Sequence, residues 1–230
     1  MTAPRYSTIL FDLDDTLLDS VESARLAFDE TLGSIGISDA DAYRPLFGGI
    51  KIDLWGKVET HELTPNEVKT LRFEQLVERG GLDADPLALA DLYGRGLGRY
   101  GPLYPGTHEM LRAVSDVATL AIITNGIGEI QRSRLAHHDL EQYFDDVVIS
   151  GEVGHSKPGS AIFDLAFERL RNPAKDQVLM VGDSLSSDMP GAERYGIDSI
   201  WFNPNGRDPG DVQVTYRISS LMEIPPIVMG

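Results

Sequence analysis

Short apolar runs rich in β-branched residues alternate along the chain with longer stretches whose apolar positions recur every three or four residues. That alternation is the pattern of a parallel sheet with crossover helices, because a strand buried on both faces reads as a continuous apolar run while a helix buries only one stripe. Strands are predicted over residues 7–11, 119–123, 147–149, 178–181 and 199–202. Helical spacing appears over residues 130–138, again through Ile162, Leu165, Ala166 and Leu170, and in a short helix ending at Tyr195 before Gly196. The expected fold is α/β, a Rossmann-like parallel sheet core with helices on both faces.

The stretch between the first two strands, residues 21–103, is far longer than one crossover helix needs and is helical in pattern throughout. Val21, Ala24, Phe28, Leu32 and Ile35 recur at helical spacing. Thr64-Pro65-Asn66-Glu67 has the spacing of a capping box with proline at the first helical position, and Arg79-Gly80-Gly81 supplies a stop. Asp85-Pro86 opens a further helix running toward Tyr100. The economical division is a core of residues 1–19 and 104–230 carrying an inserted all-helical domain of residues 20–103.

Composition narrows the class. No apolar run approaches the roughly 20 residues that span a bilayer, so a membrane protein is excluded. The formal charge of −16 repels polyanions, which argues against nucleic acid and anionic membrane surfaces as partners, and an anionic substrate would need a strong local positive site. The absence of cysteine excludes disulfides, thiol nucleophiles and cysteine-ligated zinc. The first apolar run, Ile9-Leu10-Phe11, is broken by Asp12 and is too short for a signal-peptide core, so a cytoplasmic location is expected.

Ligands of an open parallel sheet bind beyond the carboxyl ends of its strands, so the residues that follow each strand are the informative ones. The first strand is followed by Asp12-Leu13-Asp14-Asp15-Thr16 and the second by Thr124-Asn125-Gly126. Lys157-Pro158 lies after the third, and the fourth leads into Gly182-Asp183-Ser184 with Asp188 close behind. Singly, each has a plain reading as a turn, a helix cap or a solvated lysine. Jointly, the carboxylates of Asp12, Asp14, Asp183 and Asp188, a lysine and a threonine with adjacent N–H groups suit a divalent cation and a phosphate. A carboxylate that attacks phosphorus needs charge neutralisation, which magnesium and Lys157 would supply, while the Thr124 hydroxyl and following N–H groups hold the phosphoryl oxygens. A second carboxyl two residues on can protonate the leaving oxygen and later deprotonate water, and Asp12 and Asp14 fit those two roles.

In order and spacing these segments resemble the four motifs of the haloacid dehalogenase superfamily, over a core from Ser7 to about Phe202. The resemblance implies that Asp12 is the nucleophile and Asp14 the acid–base. It also implies that magnesium is held by Asp12, Asp183 and the main-chain carbonyl of Asp14, with Asp188 acting through water. The dehalogenase branch of that superfamily lacks the second aspartate, so Asp14 points to phosphoryl transfer, and the helical insertion resembles the superfamily's helical cap.

A narrower resemblance, to the house-cleaning pyrimidine 5′-nucleotidases, rests on residues 122–126, on residues 149–154 with Lys157-Pro158, and on Leu54-Trp55 and Arg72-Phe73 in the cap. Trp55 can stack a base and Arg72 can meet an anion or base carbonyl; the alternatives are a cap-core tryptophan and a surface arginine. The expected substrate is thus a small phosphorylated metabolite, a pyrimidine nucleoside 5′-monophosphate first, bound at Thr124, Asn125, Gly126, Lys157, Trp55 and Arg72. The alternatives are a sugar phosphate or glycolate-type phosphate, or a binding protein of this fold without turnover; the expected assembly is a monomer or homodimer. Gly56-Lys57 lacks the rest of a phosphate loop, and Gly94-Arg95-Gly96-Leu97-Gly98 lacks the final glycine and preceding strand of a dinucleotide fingerprint. His137 and His138 fit a helix end, and His155 is either a loop histidine or a neighbour of the site.

Overall fold

The computed structural model describes residues 3–60 and 62–230. In chain order it contains β1 (Thr8–Phe11), α1 (Ser20–Gly33), α2 (Arg44–Glu59), α3 (Pro65–Gly80), α4 (Pro86–Arg99), α5 (Thr107–Ser115), β2 (Thr119–Thr124) and α6 (Gly128–His137). There follow β3 (Asp146–Ile149), α7 (Ser150–Val153), α8 (Ser160–Arg169), β4 (Val178–Gly182), α9 (Asp188–Tyr195), β5 (Asp198–Phe202), β6 (Tyr216–Ile218) and α10 (Ile224–Met229).

The six strands form one parallel sheet in the order β3-β2-β1-β4-β5-β6. Phe11 of β1 stands between Ile122 of β2 and Val181 of β4, so the ends of the three central strands lie level. Along β1 the side chains alternate between the two faces. Ile9 and Phe11 join Leu120, Ile122, Leu179 and Val181 under α5 and α10, while Leu10 joins Ala121, Ile123 and Met180 under α8 and α9. The Rossmann-like sheet covered on both faces is therefore present as expected from the apolar runs. No helix among the described residues is long and apolar enough to cross a membrane.

Helices α1 to α4 form the cap, with an apolar core of their own built around Phe28, Phe47, Phe73 and Tyr93. The Phe28 and Phe47 rings stack at 4.5 Å, and Phe73 meets Tyr93 at 5.3 Å. Thr64 closes a full capping box with Glu67 at the start of α3, and Gly81 ends that helix in the left-handed conformation (φ 64°), as the residue pattern predicts. Ile127 and Ile130 at the start of α6 enter the same cluster and seat the cap on the core. The glycines of α4 serve close packing: a Cβ at Gly96 would stand 2.7 Å from the Ala27 Cβ, and one at Gly98 2.5 Å from the Ser133 hydroxyl.

Three differences from the sequence reading have physical causes. Helix α1 stops at Gly33, so Ile35 packs from beyond its end, and Val21 in the first turn is exposed. Strands β2 and β4 run one residue further than predicted, to Thr124 and Gly182, because both residues continue the ladder with their neighbours. The edge strand β6 and the terminal α10 lay outside the prediction: β6 has three residues, one of them the exposed Arg217, too little for a periodic signal.

Candidate active site

Strand order reverses direction between β1 and β4, the place where a doubly wound sheet opens a crevice. Asp12 leaves β1 there with its N–H still bonded to the Val181 carbonyl at 2.8 Å. The chain then doubles back in a tight turn in which the Leu13 carbonyl accepts from the N–H groups of Leu17 and Leu18 at 3.0 and 3.1 Å. Asp15 takes a positive φ of 57° in that turn and its carboxylate accepts from the Ser20 N–H, so it is a turn residue. Leu13 and Leu17 bury on the core side, which leaves Asp12 and Asp14 for the crevice.

Lys157 is almost wholly buried, with its Nζ 2.6 Å from Asp12 Oδ1 and 2.6 Å from Asp188 Oδ1. Its main chain is pinned by Asn125, whose Oδ1 accepts from the Lys157 N–H and whose Nδ2 donates to the Lys157 carbonyl, both at 2.8 Å. The amide of Asn125 is thus used at both ends to place the lysine. Thr124 is fully buried and its hydroxyl accepts from Gln131 Nε2 at 2.8 Å. The Gly126 N–H, expected from the sequence to meet phosphate, donates instead to the Ser150 hydroxyl at 2.9 Å.

Asp188 accepts from the Ser184 N–H at 3.0 Å, and Gly182 lies so close to its carboxylate that any side chain there would collide with it. Asp183 pairs with Arg207 at 3.0 Å, while Trp201 Nε1 donates to the Asp183 carbonyl at 2.9 Å. Carboxylate oxygens of Asp12, Asp183 and Asp188 lie within 4.8 Å of one another. Burial pushes the Asp12 carboxyl well above the usual range, with Lys157 only partly offsetting it and Asp188 adding to it. Burial, with Asp188 and Asp15 nearby, likewise pushes Asp183 up to about 7. For Lys157 burial alone would lower the pKa, but Asp12 and Asp188 outweigh it and hold the ammonium above its ordinary value. Three carboxylates crowded together, two of them made costly to ionise chiefly by burial, form a hard, all-oxygen donor set, and that suits a divalent cation such as magnesium.

The Asp14 carboxylate is not one of these three, though it is near enough to add to the upward push on Asp12. Its two oxygens are held by Arg134 and by Gln131 Nε2, the latter at 3.0 Å. It lies at the floor of a cavity between cap and core of about 170 Å³, where about 10–15 Å³ admits one water. Trp55, Arg72, Lys51 and Tyr93 line the cap side; Asn125, Gly126 and Gln131 line the core side. Trp55 is half-buried and packs against the cap core with its other side turned to the cavity. Arg72, read from the sequence as a substrate contact or a surface arginine, is not at the surface: it is 2% exposed, and its Nε and Nη2 have no hydrogen-bond partner. Burial pushes its pKa down to about 10, and the nearby Arg134 adds to the effect.

Gln131 and Arg134 went unnoticed in the sequence. Their signal was two polar residues at i and i+3 on the side of α6 that also buries Ile130 and Leu135. His155 is exposed and lines a separate cleft with Thr64 and Asn66, while His137 and His138 meet ring to ring at 4.9 Å at the end of α6.

A family model of haloacid dehalogenase-like hydrolases matches residues 6–196. The chain is 32% identical over 221 residues to the pyrimidine 5′-nucleotidase PynA of Streptococcus pneumoniae, covering 95% of this chain and 93% of that one. It is 32% identical over 227 residues to the pyrimidine 5′-nucleotidase YjjG of Escherichia coli, covering 97% and 98%. The crystal structure of the HAD-hydrolase YfnB of Bacillus subtilis, bound to magnesium, superposes with a TM-score of 0.86 at 31% identity over 97% of this chain and 99% of that one. With strand-end carboxylates, helical cap and family model all in register, the chain belongs to the haloacid dehalogenase-like hydrolases and is a phosphatase among them.

Proposed function

We propose that the enzyme hydrolyses pyrimidine nucleoside 5′-monophosphates through an aspartyl phosphate on Asp12, with residues 20–103 as a lid over the leaving group. The observation that carries this reading is the cavity lined by Asp14 on the core side and, on the cap side, by the Trp55 indole and by Arg72 with its unpaired guanidinium edge. Relatives named as pyrimidine 5′-nucleotidases that match along nearly the whole chain, cap included, support it.

Asp12 Oδ attacks phosphorus, the ester P–O bond breaks, and its electron pair goes to the leaving oxygen, which takes a proton from Asp14. Water then attacks the phosphoryl phosphorus and gives its proton to Asp14, and the bond to Asp12 breaks to release inorganic phosphate. Lys157 balances the charge of Asp12 and Asp188 from 2.6 Å, so that two anions can meet. Because Thr124 accepts from Gln131, its own O–H is free to donate to a phosphoryl oxygen. Magnesium, held by Asp12, Asp183 and the Asp14 carbonyl with Asp188 behind them, would neutralise the phosphoryl oxygens and draw charge from the reacting centre. Discrimination among phosphomonoesters falls to the cap wall, where the base stacks on Trp55 and one of its carbonyls accepts from Arg72.

The test is kcat/KM across pyrimidine and purine 5′-monophosphates, sugar phosphates and phosphoglycolate, with and without chelator. Pyrimidine nucleotides are expected to lead and chelation to abolish turnover, magnesium restoring it. A leading sugar phosphate or phosphoglycolate would overturn the nucleotide assignment, and full activity in excess chelator would overturn the magnesium assignment.

A further inference from the structure

We propose that Arg134, together with Gln131 three residues before it on α6, is a positioning residue that couples the orientation of the Asp14 carboxylate to the seating of the cap. The inference rests on the reading of Asp14 as the acid–base.

Arg134 is 4% exposed and spreads its donors over both halves of the molecule. Nη1 reaches Asp14 Oδ1 on the core turn and Gln131 Oε1 at 3.0 Å. Nε donates to the Leu97 carbonyl in α4 at 2.9 Å, and Nη2 approaches the Ser23 hydroxyl of α1 at 3.5 Å. Leu97 lies in the last turn of α4, where main-chain carbonyls lack partners within the helix and the helix end carries partial negative charge. A guanidinium is suited to that place. The Ser23 hydroxyl donates to the same carbonyl at 3.1 Å, so α1, α4 and Arg134 converge on one atom. The close approach of Gly98 to Ser133 brings α4 near enough to α6 for this contact.

Gln131 completes the clamp. Its Nε2 donates to Asp14 Oδ2 at 3.0 Å and to the Thr124 hydroxyl at 2.8 Å, so each Asp14 oxygen has one donor and the plane of the carboxylate is set. The pair is unequally buried. Here the Asp14 side chain is 29% exposed, Arg134 only 5%, and Asp14 opens on the cavity with lone pairs to spare. A cap lifted from α6 takes the Leu97 carbonyl and the Ser23 hydroxyl with it, so the guanidinium holds its geometry only while the cap is seated. Lysine, a single point charge without the planar fork, cannot make these contacts together.

The experiment compares kcat/KM for the best alkyl phosphate of the substrate panel, whose alkoxide must be protonated to leave, with that for nitrophenyl phosphate, whose phenolate leaves without a proton. Asp14→Asn is expected to lower the alkyl value about 10²- to 10⁴-fold and the aryl value at least about tenfold less. Arg134→Lys and Gln131→Met are each expected to show the same alkyl-selective loss, about 10- to 100-fold, and neither should add to it in the Asp14→Asn background. Gln131→Met leaves the Leu97 and Ser23 contacts of Arg134 in place, so it carries the test should Arg134→Lys fail to fold; because it also takes the donor from Thr124, some loss on both substrates is expected, with the alkyl loss the larger. Equal losses on both substrates, or losses that add fully to Asp14→Asn, would overturn the proposal and leave Arg134 a structural residue. An Asp14→Asn enzyme without alkyl selectivity would instead overturn the acid–base reading of Asp14, and the inference with it.

Discussion

Lys157, on the core, and Arg72, on the cap, are both buried cations, 1% and 2% exposed, and they are treated in opposite ways. Lys157 stands between two carboxylates at 2.6 Å, and its main chain is tied to Asn125 at both ends. Arg72 has no carboxylate partner among the described residues; its guanidinium lies 4.5 Å from the centroid of the Tyr93 ring and 5.7 Å from that of Phe73, with Nε and Nη2 unsatisfied. A buried donor without a partner costs about 1–3 kcal/mol, and a cation–π contact returns only part of that. The lysine is therefore held in place by the core itself before any substrate arrives. The cap wall carries an unmet demand for an acceptor, which a leaving group with the right carbonyl or anion would satisfy.

The contrast is broken most severely on the core side. Asp12→Asn is expected to lower kcat by on the order of 10⁴-fold or more while the far-UV circular dichroism stays native. Lys157→Met should cost about 10²- to 10³-fold in kcat and also lower the denaturation midpoint, because it strands Asp12 and Asp188 as buried, unpaired carboxylates. A Lys157→Met protein as stable as the parent would mean that the pairing is incidental.

On the cap side the signs separate. Arg72→Met removes a charge that no carboxylate among the described residues balances, so stability should hold or rise by about 1 kcal/mol in urea titrations. The same change should cut kcat/KM for pyrimidine nucleotides about 10- to 100-fold and leave nitrophenyl phosphate within about threefold. A fall in stability together with equal losses on all substrates would show Arg72 to be a packing residue after all. Trp55→Ala is a milder perturbation, expected to narrow the preference for pyrimidine nucleotides over sugar phosphates by about tenfold, read from the ratio of their kcat/KM values.

The smallest effect expected is that of Thr64→Ala, which removes the capping box at the start of the helix carrying Arg72. It should cost about 1 kcal/mol of stability and show in hydrogen exchange of α3 before it shows in turnover. Protection lost evenly over core and cap would indicate that the two unfold as one unit.

The residues that follow the strands were legible because each parallel strand is buried on both faces and so announces itself as an apolar run with a sharp polar end. Asp12, Thr124 and Asp183 stand directly after or at the end of such runs. The capping box at Thr64 was legible for a similar reason: its hydrogen bonds span only three residues. Helix α2 was legible only as part of a stretch helical in pattern throughout, without bounds of its own, since Gly48, Gly49 and Gly56 blur its stripe and its packing on Phe28 and Phe73 supplies what its propensity lacks.

The sequence alone determined the sheet, the helical insertion and the presence of acidic and basic groups at the strand ends, because these depend on periodicity and on interactions between near neighbours. Only the tertiary structure decided how the polar groups are shared out. The pairing of Arg134 with Asp14 joins residues 120 positions apart, and that of Lys157 with Asp12 residues 145 positions apart. Among the twenty basic residues of the chain nothing local distinguishes a lysine clasped by two carboxylates from an arginine buried without one. That distinction depends on which elements the fold brings within a few ångströms of each other, and on the low dielectric in which a partner, or its absence, then counts.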